Sequence, residues 1–263
     1  MATNTASAER RNLVKNAETF RELHKPAIPL VLYNVWDAGS ARTVATSGAK
    51  AIATSSWAVA KAHGFDDGEQ IPFELAMQNL LRIVGAVDLP VSVDLESGYG
   101  EAPEDVAKSV SLAIEAGAVG CNLEDRIPAT GAVRDSAAQA DRIRSARRAA
   151  KGAGIPFFIN ARCDLFFQGN SVPHDQELLA MAAERARLYK EAGADGFFVP
   201  GLTTISLISE LVKISPIPVN ILADSSTSIQ VLAANGVARV SYGATPYVEL
   251  IGALERTARA ITG

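Results

Sequence analysis

Residues 91–100 read Val-Ser-Val-Asp-Leu-Glu-Ser-Gly-Tyr-Gly, and residues 121–126 read Cys-Asn-Leu-Glu-Asp-Arg. Each is an apolar run that ends in paired carboxylates. Acids delivered together to a strand tip repel one another unless a cation sits between them. Asp94, Glu96, Glu124 and Asp125 are thus placed to share one divalent ion. Oxygen ligands with retained waters suit Mg²⁺, or Mn²⁺ in its place, and the lack of a His cluster disfavours zinc. Asp94 is expected as the direct metal ligand, with Glu96 and Glu124 holding metal-bound waters. Asp67, in the loop His63-Gly64-Phe65-Asp66-Asp67-Gly68-Glu69, could reach in from above. Each acid could instead cap the following helix or pair with an arginine.

Arg162 stands at another tip, in Asn160-Ala161-Arg162-Cys163-Asp164. Its planar fork matches a substrate carboxylate and could neutralise a developing enolate. A structural salt bridge with Asp164 or Glu124 is the competing reading. Backbone N–H groups at Ser55, Ser56 and Trp57 could serve an oxyanion, or merely form a polar turn. Asn220 is a further polar residue of the strand ends, and Tyr33 is counted among the substrate-binding candidates. His63, Tyr33 and Tyr242 are candidates for returning a proton.

These residues need elements that bring them to one place. Short runs rich in Val, Ile and Phe predict strands at 30–34, 51–55, 91–95, 120–124, 157–161, 196–199, 219–222 and 239–242. Ala- and Glu-rich helical stretches lie between them. Strand–helix alternation predicts a parallel sheet. Ser47-Gly48-Ala49, Ala116-Gly117-Ala118, Ala192-Gly193-Ala194 and Asn235-Gly236-Val237 each precede a strand, as helix-ending glycines do. A (β/α)8 TIM barrel accounts for this better than an open doubly wound sheet, because no Gly-x-Gly-x-x-Gly fingerprint is present. Polar residues gather at the strand ends, where such barrels carry their sites, while strand starts hold mostly Pro, Gly and Ala. An additional helix at 9–25 is expected to cap the barrel base, and a last helix at 248–261 to pack on its own barrel or a neighbour's. No linker rich in Pro, Gly or Ser interrupts the chain, so residues 1–263 read as one domain.

With 263 residues, 48% hydrophobic and 21% charged, the composition is that of a globular protein. A net charge of −4 argues against nucleic acid as a partner. The basic stretch from Arg142 to Lys151 reads as a solvated helix face. Cys121 and Cys163 read as buried free thiols, which suits a reducing cytoplasm. No apolar run is long enough for a membrane span, and no signal peptide is apparent.

Together these residues resemble the isocitrate lyase and phosphoenolpyruvate mutase superfamily, from Tyr33 to about Leu254. The strand-three motif stands as Asp94-Leu95-Glu96-Ser97-Gly98-Tyr99-Gly100, the strand-four acids as Glu124-Asp125, and the strand-five arginine as Arg162. Asp37-Ala38-Gly39-Ser40-Ala41-Arg42 and the gating-loop Gly64-Phe65-Asp66-Asp67 also match. The resemblance implies a barrel in homodimers or homotetramers that exchange the last helix. It implies Mg²⁺ and a small carboxylate substrate, with Asp94 on the metal. Glu96, Glu124 and Asp67 would sit in its water shell, and Arg162, Ser55, Ser56 and Asn220 on the substrate. Cleavage of a C–C bond beside the carboxylate of a 2-hydroxy or 2-oxo acid is the implied reaction. P–C cleavage, oxaloacetate-type decarboxylation and a non-catalytic dicarboxylate-binding barrel are the alternatives. The lid departs from the family. The lyases' Lys-Lys/Arg-Cys-Gly-His and the phosphonate branch's Lys and Asn are replaced by Arg126-Ile-Pro-Ala-Thr-Gly-Ala-Val-Arg134. Arg126 and Arg134 could still close over an anionic substrate, with Gly131 and Gly169 as hinges.

Overall fold

The computed structural model describes residues 2–168, 173–224 and 226–263, with side chains from Arg10 onward. Gly169 lies outside the described residues. The chain opens with α1 (Ala2–Glu22). It then alternates through β1 (Leu30–Leu32), α2 (Ala38–Thr46), β2 (Ile52–Ala53), α3 (Ser56–Ala62), α4 (Phe73–Val84), β3 (Val91–Asp94), α5 (Pro103–Glu115) and β4 (Gly120–Glu124). There follow α6 (Ser136–Ala153), β5 (Phe158–Arg162), a 3₁₀ turn (Asp164–Phe167), α7 (Gln176–Ala192) and β6 (Gly196–Val199). The chain continues with α8 (Ile205–Ile214), β7 (Val219–Leu222), α9 (Ile229–Ala234), β8 (Arg239–Ser241) and α10 (Thr245–Thr262).

The strands form one parallel eight-stranded sheet in the order β1-β8-β7-β6-β5-β4-β3-β2. The ends of that order meet at a parallel bridge between Val35 and Thr54. There the Val35 N–H donates to the Ala53 carbonyl at 2.9 Å and the Ser55 N–H to the Val35 carbonyl at 3.1 Å. The fold is a (β/α)8 barrel. Gly48, Gly117, Gly193 and Gly236 end their helices at φ between 81° and 107°, a conformation that costs glycine nothing.

α1 closes the base. His24, just past its end, stacks on Phe158 at 3.9 Å, and Phe20 meets the same ring edge-on at 5.6 Å. Gly120, the first residue of β4, makes room for this: a Cβ there would stand 2.8 Å from the Phe158 carbonyl and 3.1 Å from Phe20. Cys121 and Cys163 are free and buried, as expected. No described helix is long and apolar enough to cross a membrane.

One expectation needs correction. The basic stretch of α6 is only in part a solvated face: Arg144, Arg148 and Lys151 are exposed, but α6 packs along α5 and Arg142 and Arg147 serve backbone carbonyls. Arg142 is buried and donates to the Glu101 and Ser97 carbonyls. Arg147 binds the Gly193 and Phe157 carbonyls at 3.0 and 2.9 Å and pairs with Asp195. Both hold the helix to neighbouring loops rather than face solvent.

Candidate active site

Strand alternation sends Asp94, Glu124 and Arg162 into the barrel mouth. Asp94 at the tip of β3 accepts the Ser56 N–H at 3.2 Å and the Ser56 hydroxyl at 2.8 Å, both on Oδ2. Its Oδ1 is buried without a partner. An orphaned carboxylate oxygen is costly to bury, and it makes Asp94 the candidate seat for a cation.

Glu96 takes φ +51° in the loop after β3. Its Oε2 accepts the N–H groups of Gly68 and Glu69 at 2.9 and 2.7 Å, and its Oε1 the Tyr99 hydroxyl at 3.2 Å. Burial, reinforced by the Asp67 and Asp94 charges, pushes its carboxyl up to about 8. Glu69 reciprocates, accepting the Ser97 hydroxyl at 2.6 Å and the Tyr99 N–H at 2.8 Å. This double clasp holds the 64–71 loop against the β3 end. Asp67 rides on that loop, solvent-accessible at the rim. Its carboxyl is raised by desolvation and by Asp94, with Arg162 and Arg126 opposing. Asp66 points outward to Lys61 at 2.6 Å.

Glu124 and Arg162 sit opposite each other in the β4–β5 register and pair at 2.8 Å. Arg162 also grips Asp164 through Nε and Nη2 at 2.6 and 2.8 Å. Burial works against its charge, but Glu124 and Asp164 more than offset that and raise its pKa. Burial also pushes the Glu124 carboxyl well above the usual range, against the pull of Arg162. The salt-bridge reading of Arg162 is the one seen: the pairs with Glu124 and Asp164 fix the fork, and further N–H donors remain on Nη1 and Nη2. The rings of Phe167 and Phe198 lie 5.5 and 6.0 Å from its guanidinium, forming an apolar wall.

Several expected members are placed elsewhere. Asp125 follows Glu124 and so faces outward, where it accepts the Tyr189 hydroxyl at 2.8 Å, Arg185 at 3.0 Å and the Asp164 N–H at 2.9 Å. It belongs to the support behind the site and does not join the carboxyl groups at the mouth. Tyr33 likewise turns outward and donates to Glu249 of α10 at 3.1 Å, away from the mouth. The Ser55 N–H is committed to barrel closure and the Ser56 N–H to Asp94, so neither is free for an oxyanion. Ser55 instead caps α3. Trp57 stands in the first turn of α3, its ring 5.9 Å from Tyr247. Asn220 is buried and joined to Ser241 at 3.2 Å, in a polar layer with Asn122, Asn160 and Arg239. His63 is tied to the Val59 carbonyl at 2.9 Å. Arg134 is held by Glu101 at 2.7 Å and does not close over the mouth. Glu69 and the Arg239 layer went unforeseen. A strand tip announces Asp94, but nothing in the spacing shows that a loop glutamate folds back onto Ser97 and Tyr99 of the turn that follows it.

Four carboxyl groups, Asp67, Asp94, Glu96 and Glu124, share the mouth with Arg162, and burial and crowding raise the pKa of Asp67, Glu96 and Glu124, a strain that a divalent cation would relieve. Among the described residues no three His, Cys, Asp or Glu side chains converge to hold an ion directly. Glu124 and Glu96 have oxygens already engaged, so direct ligation by all of Asp94, Glu96 and Glu124 is not the arrangement found. A single bare carboxylate oxygen with acids around it fits Mg²⁺, which keeps several of its waters.

A family model described as phosphoenolpyruvate phosphomutase matches residues 20–262. A Burkholderia cenocepacia crystal structure provisionally described as a phosphonomutase is 51% identical. It covers 94% of this chain and 99% of that one at a TM-score of 0.92. The 2-methylisocitrate lyase of Escherichia coli is 28% identical over 77% of this chain and 68% of its own length. A phosphonopyruvate hydrolase solved with oxalate and Mg²⁺ shares the fold at a TM-score of 0.80. It is 19% identical and covers 94% of this chain and 86% of that one. With the motif residues brought to one mouth and nearly the whole chain matched, this protein belongs to the phosphoenolpyruvate phosphomutase family, within the isocitrate lyase and phosphoenolpyruvate mutase superfamily.

Proposed function

We propose that the chain is a Mg²⁺-dependent lyase that breaks the C–C bond beside the carboxylate of a small 2-hydroxy or 2-oxo acid through an enolate-like intermediate. The observation that carries this is the buried, partnerless Asp94 Oδ1 in an acid-rich mouth facing an arginine braced by two carboxylates. Asp94 would hold the ion, with Glu96, Glu124 and Asp67 on its waters. When bound, Mg²⁺ supplies Lewis-acid polarisation of the substrate's carboxylate and α-oxygen. Arg162 binds the carboxylate through its remaining donors and sets fixed positive charge beside the carbon where negative charge develops. Phe167 and Phe198 keep water from that side. The relative solved with oxalate and Mg²⁺ supports the choice of ion and of ligand class.

The test is release of pyruvate, glyoxylate or other keto acid fragments from a panel of 2-hydroxy and 2-oxo acids with Mg²⁺. Asp94→Ala and Arg162→Ala are each expected to lower kcat by about 100-fold or more. Full activity in either variant ends the assignment. The phosphonomutase-like relative at 51% identity favours one second reading, P–C cleavage in the same mouth, and phosphate release from a phosphonate substrate would identify it. Carbon dioxide release from oxaloacetate would mark a decarboxylase. Calorimetric binding of oxalate with no turnover of any candidate would leave a dicarboxylate-binding barrel.

A further inference from the structure

The hairpin after β4 carries two arginines with opposite circumstances. Arg134 pairs with Glu101 at 2.7 Å, its N–H donates to the Asp125 carbonyl at 2.7 Å, and its carbonyl accepts from Arg185 at 2.9 Å. Arg126 is half-buried, yet it makes no hydrogen bond or ion pair with any described residue. None of the Arg126 guanidinium nitrogens is buried, whereas Nε and Nη2 of Arg134 are enclosed, so Arg126 is the one whose donors stay open to an incoming anion.

Its direction follows from the backbone. Asn122 and Glu124 face the barrel interior, where they meet Arg239 and Arg162, and Asp125 faces outward to Tyr189. The chain stays extended through Arg126, which bridges Val133 in antiparallel fashion. Alternation therefore returns Arg126 to the mouth side. The hairpin beneath it is closed by the Ile127 N–H on the Ala132 carbonyl and the Gly131 N–H on the Ile127 carbonyl, both at 2.8 Å. The guanidinium lies over Gly131, whose missing Cβ would stand 3.4 Å from Nη2. It is also near enough for its charge to act on Asp67. Two strand residues beyond Glu124 place it ~7 Å further toward solvent along the wall. That is too far to share the carboxylate held by Arg162, and it suits a second anionic group at the other end of a three- or four-carbon acid.

We propose that Arg126 is a specificity-determining residue that receives this second anionic group, a carboxylate or phosphonate, so that the substrate is an acid charged at both ends. The inference rests on the reading of the mouth as a Mg²⁺ and α-oxy-acid site. Calorimetry with Mg²⁺ and four ligands tests it: oxalate, 2-hydroxybutyrate, malate and 3-phosphonolactate. The last three share a backbone and differ in the distal group. The wild type should bind malate or 3-phosphonolactate at least about 10-fold more tightly than 2-hydroxybutyrate, as one charge-assisted bidentate contact implies. The tighter of the two names the distal group. Arg126→Ala should erase that preference while changing oxalate and 2-hydroxybutyrate affinity by less than about threefold, the scale of a screened charge at the rim. Arg126→Lys should restore part of it, since the charge returns without the fork. Oxalate binding without any dianion preference in the wild type, or an equal loss for all four ligands in Arg126→Ala, overturns the Arg126 assignment alone. No oxalate binding to the wild type overturns the site reading, and this inference with it.

Discussion

His24 is where acidity should first tell on the folded protein. Its ring is stacked on Phe158, Nδ1 bonds the Phe20 carbonyl at 2.8 Å, and Nε2 is buried with no partner. Burial, assisted by the Arg239 charge, lowers its pKa from 6.5 to about 3. The unfolded chain thus binds a proton below about pH 6.5 that the native state refuses until about pH 3. The neutral ring's contribution is complete above pH 6.5 and is lost as pH falls through that window, by up to about 1.4 kcal/mol per pH unit. Urea unfolding at pH 7.5 and 5.0 should show the loss in wild type and a smaller one in His24→Phe; equal pH dependence in the two would refute it. At this scale the sequence was most readable where a strand ends in a charge. Asp94 and Arg162 stand out because an apolar run stops on them, and both lie in the mouth. Asp125 and Tyr33 misled because neighbouring residues on a strand face opposite ways, and the phase is set by pairing that spacing alone does not display.

At the level of elements, the 64–71 loop and the β3–α5 turn clasp each other through Glu96 and Glu69. Glu69, Glu96 and Tyr99 all take positive φ, at 61°, 51° and 55°. Each such residue costs on the order of 1–3 kcal/mol, so the clasp holds the loop in a strained pose against the β3 end. Glu69→Ala frees the Ser97 hydroxyl and Tyr99 N–H, and should speed amide exchange across residues 64–71 and lower kcat more than it raises KM. Glu69→Gln, which keeps one acceptor oxygen, should lie between. Unchanged exchange in Glu69→Ala would show that the clasp does not position Asp67. The eight strands were all legible, since the glycine-ended helices and apolar runs mark them plainly. One tip was read too short, 157–161 against Phe158–Arg162, and some too long, 30–34 against Leu30–Leu32 and 51–55 against Ile52–Ala53. The backbone leaves the ladder there while remaining apolar or β-prone, and Ser55 turns to cap a helix. The lid hairpin was recognised as different, but which of its arginines is tied depends on Glu101, an acid from another loop.

For the molecule as a whole, α10 is the element least supported by its own barrel. Val248, Leu250 and Leu254 are 52%, 55% and 63% exposed, and Pro246 is its one buried residue. Beside it an open apolar cleft runs between β1 and α2, lined by Tyr33, Trp36, Val44 and Leu250. We propose that the chain is a homodimer or homotetramer whose partner subunits cover these surfaces by exchanging α10. Light scattering should find wild type above the 27.7 kDa of one chain, and Leu250→Glu with Leu254→Glu should shift it toward that mass. Wild type at 27.7 kDa would refute the exchange. The terminal helix itself was foreseen at 248–261, and Pro246 extends its start to Thr245. The plug of Phe20 and His24 against Phe158 has a kinetic corollary. With the base filled in this way, the fragments of the proposed cleavage would have the mouth as their exit, and the deeper one would wait its turn. Product-inhibition patterns should accordingly report ordered release, with the piece that rested on Asp94 the final one to go.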